Sequence, residues 1–126
     1  MDSTLKYLIS LIFLTLVIKG SYSNCPLNSL QIAQRKTGAI INGKPQWKVS
    51  VINHCNCLQS QITFSCVGFQ TAEAIGPLIL KKQGNTCLLF NGHGLPYNDT
   101  DEFTYSWNAP FHFATISTVT TGPCNS

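Results

Sequence analysis

Six cysteines follow what reads as an export signal, and that combination constrains this chain more than anything else in it. Lys6 precedes the apolar run Tyr7 to Ile18, and the small-residue patch Gly20-Ser21-Tyr22-Ser23 comes next. A charged start, a short apolar middle and a small-residue exit are the parts of a secretory signal peptide. The run is about half of the roughly 20 residues needed to cross a bilayer, so no membrane insertion of the mature chain is expected. The expected division is a signal peptide at residues 1–23 and one cysteine-rich domain at residues 24–126. Every cysteine then lies in the exported part, where disulfides persist.

Cys25, Cys55, Cys57, Cys66, Cys87 and Cys124 form an even set, which points to three bridges. Six cysteines allow 15 pairings, and spacing does not choose among them. Cys25 and Cys124 sit near the two mature ends, so their bridges are expected to restrain both termini. A domain of this size buries only roughly 60–70% of its unfolded surface, which makes such cross-links valuable. The mature part carries Arg35, Lys36, Lys44, Lys48, Lys81 and Lys82 against Glu73, Asp99, Asp101 and Glu102. That weak, scattered surplus excludes a nucleic-acid footprint. The pairs Arg35-Lys36 and Lys81-Lys82 read as solvated surface; in an exported chain they are also formal processing sites.

The pattern along the mature chain is all-β. Trp47, Val49 and Val51 alternate with Lys48, Ser50 and Ile52, the stripe of a half-buried strand. Carried forward, that parity turns Asn53, Cys55 and Cys57 inward and His54 and Asn56 outward. Ile62, Phe64 and Cys66 repeat the pattern, and Leu58–Gln61 between them is short enough for a hairpin. On this reading Cys55, Cys57 and Cys66 converge on one interior face, with Cys57–Cys66 among the feasible bridges. Further strands are expected near Leu30–Gln34, Leu78–Lys81, Thr86–Phe90, Glu102–Trp107 and Phe111–Thr120. Turn chemistry falls at Thr37-Gly38, Asn42-Gly43, Gln83-Gly84-Asn85, Asn91-Gly92-His93-Gly94 and Asn108-Ala109-Pro110. A short helical turn fits only Thr71–Ile75, before the break at Gly76-Pro77. Seven short strands with frequent turns predict a small disulfide-stapled antiparallel β-sandwich.

Few residues offer chemistry. Asn98-Asp99-Thr100 is an acceptor sequence for N-glycosylation in a polar loop, with Asn98 the expected modification site and an unmodified loop asparagine the alternative. Asp99, Asp101 and Glu102 crowd the same loop, without the glycine and distant glutamate of an EF-hand. His54, Cys55 and Cys57 have a zinc-like spacing, but zinc needs thiolates and an oxidising compartment favours bridges. His54, His93 and His112 stand beside no nucleophile motif, and no phosphate-binding loop is present. No catalytic residue, metal or cofactor is expected. Trp47, Tyr105 and Trp107, with Phe103, pack a core or alternatively form a platform for sugar rings.

The mature chain resembles the tapetum determinant family of small secreted plant proteins. The resemblance runs from Cys25 to Cys124 and rests on an ordered series. It comprises Ile32-x-Gln34 with Thr37-Gly38, then Pro45-x-Trp47-x-Val49-x-Val51-x-Asn53-x-Cys55-x-Cys57, then Ile62 to Cys66 and Pro77. Cys87-Leu88-Leu89 with Asn91-Gly92, Phe103-x-Tyr105-Ser106-Trp107, Phe111 and Cys124 complete it. After Cys66 the chain has Val67-Gly68-Phe69-Gln70 where founding members carry a tryptophan, as in less-characterised branches. The resemblance implies an apoplastic, non-enzymatic signalling protein. Its expected partner is the ectodomain of a leucine-rich-repeat receptor kinase, as for founding members that fix anther cell fate. The contact surface is expected in the turns Gly92–Thr100 and Gly68–Ile75. The alternative reading is a cell-wall carbohydrate-binding module carried by Trp47, Tyr105 and Trp107. An inhibitor of an extracellular hydrolase would need a reactive loop held between bridges, and none stands out.

Overall fold

A computed structural model describes residues 25–124; the expected signal peptide lies outside the described residues. Seven strands follow in order: β1 (Leu30–Ile41), β2 (Lys44–Asn53), β3 (Cys57–Ser65), β4 (Leu80–Gln83), β5 (Thr86–Leu89), β6 (Thr100–Ser106) and β7 (Ala114–Cys124). They form two antiparallel sheets, one ordered β1-β2-β6 and the other β4-β5-β3-β7. The expected all-β sandwich is therefore the observed one. Val49, Val51, Phe103 and Tyr105 from the first sheet face Ile62, Phe64, Cys87 and Leu89 from the second. Phe113 sits at the centre of an aromatic cluster, with ring centroids 4.8 Å from Phe111, 5.2 Å from Phe69 and 5.7 Å from Phe64. Such tilted and edge-on pairs add to the burial of their area. Phe69, in the Val67–Gln70 segment, is thus a core residue.

Local chemistry places the turns. Asn42 and Gly43 both have positive φ, 51° and 81°, and join Ile41 to Lys44 in the primed turn that suits strand twist. Gly84, at φ 64°, opens the two-residue turn between β4 and β5.

Three expectations fail, two of them for a related reason. Thr37-Gly38 is no turn: β1 runs through it, with the register slipping between Lys36 and Ile40 and Gly38 at φ 95°. Leu58–Gln61 is no hairpin either, because it lies inside β3. Cys57 and Gln59 point inward, then Ile62, Phe64 and Cys66 do, and the switch of parity is absorbed by a bulge at Gln61, φ 52°. One extra residue moves every later side chain to the other face, which mimics a strand break in the sequence. Thr71–Ile75 forms no helical turn; among the described residues Leu27–Ser29 makes a short 3-10 turn, and Phe90–Gly92 makes a left-handed one.

The bridges are Cys25–Cys55, Cys57–Cys124 and Cys66–Cys87, so the Cys57–Cys66 pairing is not the one formed. Cys57 opens β3 and Cys66 lies just beyond its far end, so the three cysteines do not converge. Cys55 is only half-buried, while Cys57 and Cys66 are fully buried. Both termini are restrained, as expected, because Cys25 and Cys124 are both tied to the 55–57 corner. Loops of 30, 67 and 21 residues imply about 3–4.5 kcal/mol per bridge from lost chain entropy.

At that corner β2 passes into the other sheet over three residues, and buried Asn53 satisfies it. Its side-chain nitrogen donates to the Cys57 carbonyl at 2.9 Å and to the Leu95 carbonyl at 2.8 Å. Its side-chain oxygen accepts from the Cys55 amide at 2.9 Å and from Gln59 Nε2 at 2.8 Å. Gln59, also fully buried, accepts from Thr118 Oγ1 on β7 at 2.9 Å. Asn53 therefore has four partners, and truncating it strands several buried polar groups at once. Asn53→Ala is expected to cost about 3 kcal/mol. Chemical denaturation of the oxidised protein, compared with wild type, measures this.

Candidate functional site

The segment between β3 and β4 borders a groove on the surface. It leaves the core at Phe69, rounds the edge of β6, and is sewn to that strand by the Ala72 amide donating to the Ser106 carbonyl at 2.7 Å. Ser106 N–H in turn donates to Thr71 Oγ1 at 3.1 Å. Glu73 then lies across the first sheet. Its carboxylate accepts from Ser106 Oγ at 2.6 Å, Gln46 Nε2 at 3.0 Å and Thr104 Oγ1 at 3.1 Å. Three neutral donors thus hold one anion, and charge-assisted bonds are the stronger kind. Pro77 follows at the second position of a turn in which the Gly76 carbonyl accepts from Ile79 N–H at 2.9 Å. That turn leaves Leu78 69% and Ile79 38% exposed.

Opposite this segment, Phe90, Asn91 and Gly92 have φ of 44°, 54° and 80°, three successive left-handed residues. For a bulky residue such as Phe90 this conformation is strained. It is held by Phe90 N–H donating to the Ile79 carbonyl at 2.7 Å and by Gln61 Nε2 donating to the Gly92 carbonyl at 3.2 Å. The bulge in β3 therefore meets the left-handed turn. Phe90 stacks on His93 with centroids 5.3 Å apart, and His93 Nε2 lies 2.7 Å from Asp101 Oδ2.

Between the two segments runs an open groove of about 420 Å³. Ile75, Ile79, Phe90 and Phe103 give it an apolar floor, and Lys48, Glu73 and Glu102 lie around it. Lys48 and Glu102 are 4.0 Å apart and both substantially exposed, so their attraction contributes little to stability. An apolar floor with a few charged groups around it suits a partner's side chains.

The other sequence-derived positions are dispersed. Tyr105 is fully buried; its hydroxyl donates to Gln34 Oε1 and accepts from the Phe111 amide at 2.7 Å. Trp47 and Trp107 are half-buried, joined by Trp47 Nε1 donating to the Trp107 carbonyl at 3.2 Å. Lys36 sits 5.5 Å from the Trp47 ring centre and Lys44 5.3 Å from that of Trp107. Three open rings do not line up. Asn98 is exposed, with φ 67°, and its amide donates to the Asn53 carbonyl at 2.8 Å. The carboxylates of Asp101 and Glu102 are engaged separately, by His93 and by Ser50 and Lys48, while Asp99 bonds to Asn53 through its backbone carbonyl. The sulfurs of Cys25, Cys55 and Cys57 lie within 4.8 Å of one another, but each is in a bridge, and His54 bonds to Gln31. Of the expected contact turns, Gly68–Ile75 borders the groove. Gly92–Thr100 approaches it only where His93 stacks on Phe90. Sequence reading missed Glu73 and Phe90: the partners of Glu73 are distant in the chain, and only the neighbouring Asn91-Gly92 signals a left-handed turn.

The family model described as tapetum determinant 1, C-terminal, matches residues 26–121. The chain belongs to the tapetum determinant 1 family. Its matched region covers all but the outermost ends of the described sandwich. Members of this family are secreted signalling proteins of plant development, a setting in which a small domain with three bridges is at home. No curated protein and no solved structure matches the chain.

Two outcomes follow from this geometry. Gly92→Ala places a methyl group at φ 80° and 2.5 Å from the Gln61 amide, which must swing away. The left-handed strain dominates, and a loss of about 1–2 kcal/mol is expected in denaturation. Burial, opposed by the bond from the Phe111 backbone, holds the Tyr105 hydroxyl above its ordinary pKa. Its folded value exceeds its unfolded value near 10, so the stabilisation is complete below about pH 10 and declines as pH rises through the raised value. Tyr105→Phe should flatten that alkaline decline in a pH series of thermal midpoints, while lowering stability at neutral pH.

Proposed function

We propose that this protein is a secreted, non-enzymatic ligand of the ectodomain of a leucine-rich-repeat receptor kinase, acting in plant cell-fate specification, in anther or tapetum. The signal peptide at residues 1–23 directs it to the apoplast, and Asn98 carries an N-linked glycan there. Support for the receptor reading comes from family membership together with one structural observation. A groove with an apolar floor, flanked by exposed Leu78 and Ile79, is carried on loops that bridges and backbone bonds hold in place. Pre-set loops lose little freedom on binding, so more of the contact energy appears as affinity. Concave repeat surfaces take compact convex partners of this size.

The carbohydrate reading asks for Trp47, Tyr105 and Trp107 together. Tyr105 lies in the core and a lysine covers each tryptophan, which favours the receptor. The test is capture of receptor-kinase ectodomains by the secreted, oxidised protein, alongside pull-down on insoluble wall glycans. Ile79→Asp is expected to weaken ectodomain binding at least about tenfold, a change of about 1.4 kcal/mol. Reduction and alkylation should abolish it. Affinity unchanged by both treatments, or retention on glycans lost with Trp107→Ala, would contradict this reading.

A further inference from the structure

Charges that lie far apart in the sequence are sorted by the fold. Asp99 bonds through its backbone to Asn53 at the corner, and Asp101 pairs with Val51, two residues before it. The cations gather at the opposite end of the sandwich. Lys36 pairs with Trp47, and Lys44 opens β2. Lys82 pairs with Cys87, whose bridge reaches Cys66 past the far end of β3.

A run of contacts joins these cations into one strip. Lys82 lines a cavity of about 180 Å³ together with Phe69 and Thr71. Thr71 Oγ1 accepts from Ser106 N–H at 3.1 Å, and Trp107 is the next residue. Lys44 sits over the Trp107 ring, Trp47 is bonded to the Trp107 carbonyl, and Lys36 sits over Trp47. Arg35 and Lys81 adjoin the two ends. Among the described residues none of these five cations pairs with a carboxylate, whereas Lys48 pairs with Glu102. Glu73, on the same segment as Thr71, already accepts from three neutral donors.

We propose that this strip binds a linear polyuronate, a sugar-acid polymer with one carboxylate on each ring. The cations are strung out rather than converging on a point, which suits a chain of repeated charge better than a single anion. Four of the five are lysines, whose compact ammonium suits a lone carboxylate, where arginine's fork would favour phosphate. The rings of Trp47 and Trp107 hold two of the ammoniums in place, so charge and not a bare ring meets the polymer. A stiff sugar chain also loses less freedom on binding than a flexible acidic peptide would. The strip is separate from the Ile79–Phe90 groove, so the proposal stands or falls independently of receptor capture.

The test measures binding of the secreted, oxidised protein to immobilised polygalacturonate, to its methyl ester, to polyglutamate and to anionic phospholipid vesicles. Polygalacturonate is expected to bind tightest, at least about tenfold ahead of the uncharged ester, and to weaken at least about tenfold from about 50 to about 300 mM salt. Lys36→Gln/Lys44→Gln/Lys82→Gln should weaken it at least tenfold, and Lys48→Gln less than twofold. Lysine acetylation of the wild type reads the contact without any variant: the polymer should shield Lys36, Lys44 and Lys82 and leave Lys48 reactive. Equal affinity for the ester, tighter binding to polyglutamate or vesicles, no binding at low salt, or shielding that spares the three strip lysines would overturn the proposal.

Discussion

Where the chain leaves one sheet for the other, at His54–Asn56, a buried amide and two disulfides meet, and the architecture rests on that corner. Asn53 gives and receives two hydrogen bonds each, tying the end of β2 to the start of β3 and to Leu95. Cys55 and Cys57 flank the corner and reach to Cys25 and Cys124, so both ends of the domain are pinned where the sheets part. A core this small leaves a narrow margin against chain entropy. The polar network adds direction, because a wrong register leaves buried amides without partners.

The third bridge, Cys66–Cys87, ties the far end of β3 to β5. From that end the chain runs into the segment that Glu73 docks across the first sheet. The left-handed turn at Phe90 begins just beyond β5. The groove thus stands on the two elements that this bridge joins, which fixes its shape. On the proposed receptor reading, binding rests on shape and a few anchors.

Much of the fold was legible from period-two alternation and turn chemistry. Trp47 to Asn53, Ile62 to Cys66 and Phe103 to Trp107 alternate as half-buried strands do, and Asn42-Gly43 marks its hairpin. Two of the failures share one cause. A bulge and a turn both break alternation, so Gln61 and Gly38, each inside a continuous strand, were indistinguishable from strand ends. Once Gln61 is read as a hairpin, Cys57 and Cys66 seem to face each other; as a bulge, it sends them to opposite ends of β3. The candidate site was less legible, because Glu73 finds its donors on Gln46, Thr104 and Ser106, all more than 25 residues away. The burial of Tyr105 among Phe69, Phe111 and Phe113 likewise belongs to tertiary packing.

Mapping the bridges of the secreted, unreduced protein by proteolysis and mass spectrometry tests the corner most directly. The account requires peptides linked Cys25–Cys55, Cys57–Cys124 and Cys66–Cys87. A Cys57–Cys66 link, or a free thiol at Cys55 or Cys57, would mean that the sheets are not joined in this way.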